Sequence, residues 1–571
     1  MTKIITLLLL LPCSLFATTF SVSNANDAGA GSLRQAIISA NADAGAPHTI
    51  NITSSGTITL QSDLPALSKS TTINGAAIGS TISGNNLYRI FQAIGTTTTL
   101  ISIQLRRLTL QNAYLNVVGS DPAGGAALYG NYIGAALIED CHFKNDTTRL
   151  TSLNSYAELK GGACYLNATG SIPNGSTAVI RRCTFSGNAA IISASQNAVA
   201  DGGALYIISL TDTIENCTFT NNYVRGQSTV AGGSVRASGA GVAFYGSSVR
   251  FINCTIVNNT CVGQQAAGGS IDSLGAGVRM LKYSYATYFK NCIIDKNSGG
   301  STPNIYPAGF VSEGHNVIGI IGAVPAANFM VTDTINTNSK VNLLGNNGGL
   351  TPTCSIPSNS VAVNKVPAGS APATDQRGYA RVGNPDAGAY EYNATIFPLH
   401  LLSFTASQNE MDVQLKWTTA NEINVAHFVI ERSINGRDFY VIGERAANGN
   451  STLDKSYFFT DSKPLKGANF YRLKMVDLDG KFTYSATVAV TIRMSAVLTI
   501  YKNPVKENLV FSIAGDITLA KIYNIEGNLL LVRKVSSGSN SLMVQSLTAG
   551  TYLLQVYNNS ELIARASFIK L

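Results

Sequence analysis

Five short stretches of the chain repeat one pattern around a cysteine: LIEDCHFKND, VIRRCTFSGN, TIENCTFTNN, RFINCTIVNN and YFKNCIIDKN. Their cysteines, Cys141, Cys183, Cys217, Cys254 and Cys292, follow one another at intervals of 34 to 42 residues. A glycine motif precedes each: GGAALYG from Gly124, GGACYLN from Gly161, GGALYI from Gly202, GAGVAFYG from Gly239 and GAGVRML from Gly275. A period of this length marks a solenoid or an array of stacked units. Within TIENCTF, strict strand alternation puts Ile214, Asn216 and Thr218 on one face and Glu215, Cys217 and Phe219 on the other. Arg182, Asn216 and Asn253 then belong to the face opposite the cysteines. Helical spacing gives no comparable stripe. Each repeat is therefore one coil of strands, stacked on the next at about 4.8 Å as in a parallel β-helix.

The recurring residues have structural readings that outweigh chemical ones. Glycine lets the backbone take tight corners. Asn188, Asn222, Asn259 and Asn297 follow the strand at one offset; asparagine accepts a left-handed turn, and its amide can bond its counterpart one coil away. A buried ladder is preferred to a ligand site. The cysteines are read as small buried hydrophobes rather than disulfides, because in-register side chains run side by side. No metal site is expected, since C-x-x-C is absent and His48, His142, His315, His400 and His427 are scattered.

Composition agrees with this architecture. Of 571 residues, 45% are apolar and 13% charged, which allows a large core. The formal charge of +8 is spread over both halves, with only LRR at 105–107 and IRR at 180–182 locally basic. A nucleic-acid partner is not indicated. At the N-terminus Lys3, the apolar run IITLLLLLP and SLFA read as a secretory signal over 1–17, cleaved between Ala17 and Thr18. Cys13 follows Pro12, where a lipoprotein signal wants a small residue. The apolar run is shorter than the ~20 residues of a membrane span, and no other segment provides a transmembrane helix.

The chain resembles known families at several points. The GGA motifs with FSGN at 185 and FTNN at 219 resemble the polymorphic outer-membrane-protein repeats of bacterial adhesins; Asp146 stands in the asparagine slot of the first repeat. NDAGAGSLRQAIISANADAGAPHTINI, 26–52, resembles the N-terminal cap of secreted β-helix proteins, with Gln35 in place of a glutamate. SLRQAIISANA can form a short amphipathic helix over the first coil. SEGHNVIG, LLGNNGGLTPT and DQRGYARVGNPDAGAYEY resemble the closing segment of the choice-of-anchor Q β-helix family, and His315 is read as loop structure within it. A solenoid needs both ends covered, because an open coil offers unpaired backbone.

Beyond FPLHLLSFTASQ at 397 the glycine repeats stop and the single tryptophan, Trp417, appears. Asn435-Gly436 and Asp479-Gly480 read as hairpin turns, and DLDG as a turn rather than a calcium loop. The stretch 397–493 resembles a fibronectin type III-like module. The tail, 499–571, resembles the type A sorting domain of type IX secretion. Its signature falls on Asn503, Pro504, Gly527, Gly550, Tyr552 and Lys570, with Lys502 departing from the family's proline.

The expectation is an all-β chain: signal peptide 1–17, a right-handed parallel β-helix with N-terminal cap over 18–393, then two small β-sandwich domains at 397–493 and 499–571. The resemblance implies export by the type IX secretion machinery to the outer cell surface or medium. Fold alone does not choose between a binding protein and a polysaccharide lyase or glycoside hydrolase. Such enzymes need clustered carboxylates. Glu139-Asp140 is the only adjacent acidic pair in the repeats, and neighbours on a strand face opposite ways. Asp212 and Glu215 also differ in parity. The non-catalytic reading is preferred: a monomer with no catalytic, metal or cofactor residues, and surface polysaccharide or extracellular glycan as ligand.

Overall fold

The repeat follows strand alternation only as far as the residue before each cysteine. In the computed structural model, Thr211–Glu215 is one strand and Thr218–Thr220 the next, and Asn216 between them has φ +50°. Asp140, Arg182, Asn253 and Asn291 hold the same left-handed corner. The corner resets the parity. Ile214, Cys217 and Phe219 are all buried, so Ile214 shares the interior with the cysteine rather than opposing it. Arg182, Asn216 and Asn253 are corner residues and not a strand's outward face.

The structure describes residues 18–76, 79–119, 124–168, 175–208, 211–281, 286–300, 302–306, 309–394, 399–409, 412–422, 425–447, 455–477, 480, 482–492, 498–515 and 517–571. The expected signal segment 1–17, with Ala17, lies outside them, as does Asp479 of one expected turn. The chain divides into two compact units, residues 1–397 and 398–571.

In the first unit the described residues form five parallel sheets of stacked strands. One coil runs from Thr211–Glu215 through Thr218–Thr220, Tyr223–Ser228, Val235–Ser238 and Val242–Tyr245, and the next begins at Ser248. Each strand pairs in register with its counterpart one coil away, as Phe143, Phe185 and Phe219 do. Their rings stack at 4.5 and 4.7 Å. The sheets holding Thr211–Glu215, Thr218–Thr220 and Val242–Tyr245 enclose the main core. Those holding Tyr223–Ser228 and Val235–Ser238 form a side lobe with its own core, including Ile192, Ala198 and Val224. The glycine pairs serve this junction. Gly202 has φ +77°, and a Cβ on Gly203 would lie 2.6 Å from the Ala240 carbonyl of the next coil. One glycine is there for conformation and the other for close approach. At the N-terminal end, the helix Leu33–Ala42 is capped by Ser32 and buries Leu33, Ala36, Ile37 and Ala40 over the first strands.

The cysteines stack as the register dictates. Cys141, Cys183, Cys217, Cys254 and Cys292 are fully buried, and all eight cysteines among the described residues are free thiols. The asparagine ladder also forms, with a correction. Asn188, Asn222, Asn259 and Asn297 do not take the left-handed conformation; the residues before them do, namely Gly187, Asn221, Asn258 and Lys296. That turn swings the next side chain inward. The Asn188 Nδ2 donates to Asn222 Oδ1 at 2.9 Å, Asn222 to Asn259 at 2.8 Å, and Asn259 to Asn297 at 2.8 Å.

Asp146 occupies the first rung. Its Oδ1 accepts from the Ala113 amide, but its Oδ2 is buried without a partner where the other rungs carry a donating NH2. Burial pushes its carboxyl well above the usual range. A carboxyl whose folded pKa is raised contributes stability below its ordinary pKa of about 4 and loses it as pH rises through the folded value. Asp146→Asn restores the donor. It is expected to stabilise the unit at pH 7 by about 1–3 kcal/mol, the cost of an unsatisfied buried polar group, with the gain growing as pH rises above about 4. Denaturant melts at several pH values check this; a gain that shrinks as pH rises contradicts it.

The closing segment does more than close an end. Phe329 packs at a tilt against Phe310 of the last coil, ring centroids 4.9 Å apart. Residues 340–394 then run back along the flank as a strap. Thr184 Oγ1 donates to the Pro352 carbonyl, Thr218 pairs with Gln376 at 2.6 Å, and Thr255 Oγ1 accepts from the Ala389 amide. Asn216 and Asn253 donate to the carbonyls of Thr374 and Asp386. The N-C-T motif thus has three jobs: corner and strap contact, interior stack, strap contact.

In the second unit, Leu399–Asn409, Asp412–Glu422 and Lys455–Asp461 form one antiparallel sheet. A second sheet holds Val425–Ser433, Tyr440–Ala446, Gly467–Asp477, Phe482–Tyr484 and Val488–Ile492. The core includes fully buried Trp417, Phe428 and Tyr471. The Asn435-Gly436 turn lies in a six-residue connection, longer than a two-residue hairpin turn, with Asn435 Oδ1 accepting from the Arg437 and Asp438 amides. Residues 498–571 form two further antiparallel sheets around Phe511, Ile522, Leu554 and Phe568.

Candidate functional site

The outward faces of the coils carry side chains in columns, because an in-register parallel stack repeats each position at one height. On the first sheet one column reads Arg106, Glu139, Arg181, Glu215. Glu139 lies 3.5 Å from Arg106 and 2.7 Å from Arg181, and Arg182 reaches both Glu139, at 2.5 Å, and Asp140, at 2.7 Å. The adjacent acids therefore do converge, contrary to the strand-parity expectation, because Asp140 is the corner residue. Burial raises the Glu139 carboxyl, but Arg182 and Arg181 outweigh it and hold the group below its ordinary range. Glu139 is an anion between guanidinium groups, without the raised pKa of a general acid. Asp212 and Glu215 stay apart: Asp212 points into the bore and Glu215 outward.

A second face is formed where the sheet of Leu205–Ile208 meets the lobe sheet of Asn197–Asp201. Tyr129, Tyr165 and Tyr206 stand in one column, their rings stacked at 5.3 and 6.0 Å. The Arg89 guanidinium lies 5.0 Å from the Tyr129 ring and the Lys160 ammonium 6.0 Å from that of Tyr206. Along the lobe, Lys160 pairs with Glu158 at 2.9 Å and Arg236 with Asp201 at 2.6 Å; Ser238 also bonds Asp201. Burial pushes the phenols of Tyr165 and Tyr206 up. They are hydroxyl groups at neutral pH and not phenolate bases. The column was legible as the tyrosine that recurs after the glycine pair in GGAALYG, GGACYLN and GGALYI. The lobe residues facing it were not, because nothing in the spacing says that the chain leaves the barrel and returns.

Two remaining groups are structural. In the strap, Arg381 pairs with Glu391 at 3.0 Å and Arg377 with Asp375 at 2.7 Å, and all four side chains are nearly inaccessible. His315 has φ +60°, and its Nδ1 lies 3.1 Å from the Lys365 carbonyl oxygen. His142 is buried against Ser186; burial, with Lys144 second, lowers its pKa to about 4, so it is neutral. Among the described residues no three His, Cys, Asp or Glu side chains gather as metal ligands.

The expected tail residues have identifiable places. Asn503 Oδ1 accepts from the Ile569 amide at 2.8 Å, and Val505, after Pro504, bridges to Lys570. Gly550 pairs with Lys570 across the last two strands. Tyr552 is buried, donates to the Thr548 carbonyl and stacks on Phe568 at 5.7 Å. Gly527 takes φ +86° in the turn between Leu519–Asn524 and Leu529–Lys534. Thr18 accepts from the Thr49 amide at the first coil.

Residues 499–570 match the family described as a secretion system C-terminal sorting domain. The tail is a type IX sorting domain, the mark of proteins exported to the outer cell surface or secreted. Among the described residues no helix is long and apolar enough to cross a membrane. No curated protein matches the chain. Among solved structures, the crystal structure of dimeric latent PorU from Porphyromonas gingivalis is similar at 14% identity. It covers 34% of this chain and 21% of that one with a TM-score of 0.14, so the chain spans about a fifth of that protein's length.

Proposed function

We propose that this exported chain is a non-catalytic binding protein of the cell exterior, in which the β-helix displays a ligand face to surface polysaccharide or extracellular glycan. One observation carries the reading: the acids that the two faces of the coils bring beside one another are held in ion pairs. Glu139 and Asp140 are held by arginines, Glu158 by Lys160, and Asp201 by Arg236 and Ser238. An acid–base pair for glycoside cleavage needs one carboxyl free and protonated and another free to attack or activate water. The face of the half-buried Tyr129 and Tyr165, backed by the buried Tyr206, offers a different chemistry. Its ring faces are occupied by one another, so sugars meet hydroxyl edges and charged tips, repeated at about 4.8 Å along the axis. A periodic array suits a periodic polymer.

The resemblances support the rest of the reading. In it, 1–17 is removed after Ala17, 18–393 is a choice-of-anchor Q-type β-helix, 397–493 is a fibronectin type III-like spacer, and the protein acts as a monomer. The test is a glycan array alongside depolymerisation assays on the full chain. Binding that falls at least tenfold in Tyr165→Ala, with no reducing-sugar release or unsaturated product, is the expected result. Cleavage lost on changing one acidic residue overturns the proposal in favour of a lyase or hydrolase.

A further inference from the structure

The sorting domain has one sheet edge bridged at its end and one left open. In the sheet Leu529–Lys534, Leu519–Asn524, Gly550–Asn558, Glu561–Lys570, the last strand is bridged at Lys570 by Val505. The first strand, Leu529–Lys534, pairs on one side only. Its sequence is LLLVRK, and Leu529, Leu530 and Val532 are exposed. Folded proteins blunt such edges with charges, bulges or cover, since an apolar unpaired strand is a template for another chain. Here the four apolar residues come first, and the cations Arg533 and Lys534 stand only at the far end. At the near end the turn carries Ile525, 82% exposed. Beside it lies a groove of about 400 Å³ lined by Tyr523, Ile525, Gly527, Thr551 and Leu553. Two of the signature positions, Gly527 and Gly550, thus flank one concavity: Gly527 lines it and Gly550 precedes Thr551.

We propose that the Leu529–Lys534 edge and the Ile525 groove form the docking surface of the sorting domain. The occupant would be an extended strand of a protein of the export machinery. The inference rests on the export reading. A sorting domain must be read by a protein, and the strand and groove lie inside the matched residues 499–570. The arriving strand pairs its backbone with the open edge, which gives affinity; where its chain runs on past the 525–528 turn, it lays an apolar side chain in the groove of Tyr523, Ile525 and Leu553, which lies inward of the edge strand, and this gives specificity. Lys521, Arg533 and Lys534 outnumber the single turn acid, Glu526, so the partner strand is flanked by carboxylates.

The experiment uses the full chain in a type IX-competent host, scoring protease access on intact cells and protein in the medium. Leu530→Lys with Val532→Lys charges the edge, and Ile525→Lys charges the groove. Leu562→Lys, at another exposed apolar site of the domain, is the control. Exported protein should fall at least tenfold in the edge and groove variants and stay within twofold of the parent in Leu562→Lys. Purified variants should keep the parent's melting transition. If the edge variant does not fold, Ile525→Lys decides, because a turn residue this exposed has little packing to lose. Export within twofold of the parent in a folded variant, or an equal loss in Leu562→Lys, overturns the proposal. So does a concentration-dependent dimer that the edge variant abolishes, which would give the edge to a second copy. A chain lacking 499–571 separates the two readings. If it is still exported, the sorting reading fails; if it is trapped while the edge variant leaves the cell, only the docking surface fails.

Discussion

A chain ending at Ile492 is expected to fold its β-helix and remain inside the outer membrane, with surface and medium protein down more than tenfold. The cut falls after the last strand of the 399–492 sheets, Val488–Ile492, so it leaves Trp417 and its neighbours covered. It also leaves the strap, 340–394, on the flank of the coils. What it removes is the set of sheets around Phe511, Ile522, Leu554 and Phe568, which share a core of their own. The loss is therefore of an address and not of a fold. Fractionation with protease access on intact cells measures it, and protease resistance of the trapped chain shows that the coils are intact. Normal surface amounts of the shortened chain would falsify the assignment of export to the tail.

The largest effect on stability is expected at Arg381. Its guanidinium bonds Glu391 at 3.0 Å, Asn216 Oδ1 at 2.9 Å and the Gly388 carbonyl at 2.8 Å, joining strap to corner. Both charges are all but inaccessible, and burial pulls the arginine's pKa down against Glu391 and Asp375. Removing one partner of a buried pair strands the other. Arg381→Met should cost about 3–5 kcal/mol. Glu391→Gln in the same chain should return part of that, because a neutral amide oxygen can still accept from the Asp386 amide as Oε2 does. Denaturation midpoints and proteolysis of residues 340–394 follow both. A single variant as stable as the parent, or a double variant no better than the single, would show that the pair does not fasten the strap.

The residues of this chain differ in how far they could be read alone. Cys217 and Phe219 declared themselves buried, since a period of two over a short strand leaves few alternatives, and five in-register copies fix the stacking. The same rule misplaced Ile214 and Asn216, because a single left-handed residue between two strands resets the alternation, and asparagine at a corner is spelled like asparagine on a surface. Asn222 was rightly placed in a ladder, but the left-handed turn belongs to Asn221 beside it. Gly527, Gly550 and Tyr552 marked the tail through a motif. The open edge at Leu530 carried no such signal, since pairing on one side or both depends on which strands the topology brings near.

By itself, then, the sequence determined the coil, its interior columns of cysteine, asparagine and phenylalanine, the capping helix and the export tail. These are repeats and local patterns, set by periodicity and turn chemistry within some forty residues. Tertiary structure alone decided that the chain leaves each coil to build a side lobe, and that Glu158, Asp201 and Arg236 come to face Tyr165 and Tyr206. It also decided that residues 340–394 return over corners more than a hundred positions earlier. Such contacts arise where backbone donors, buried ions and packing areas from distant segments must be satisfied together. No local spacing records that condition.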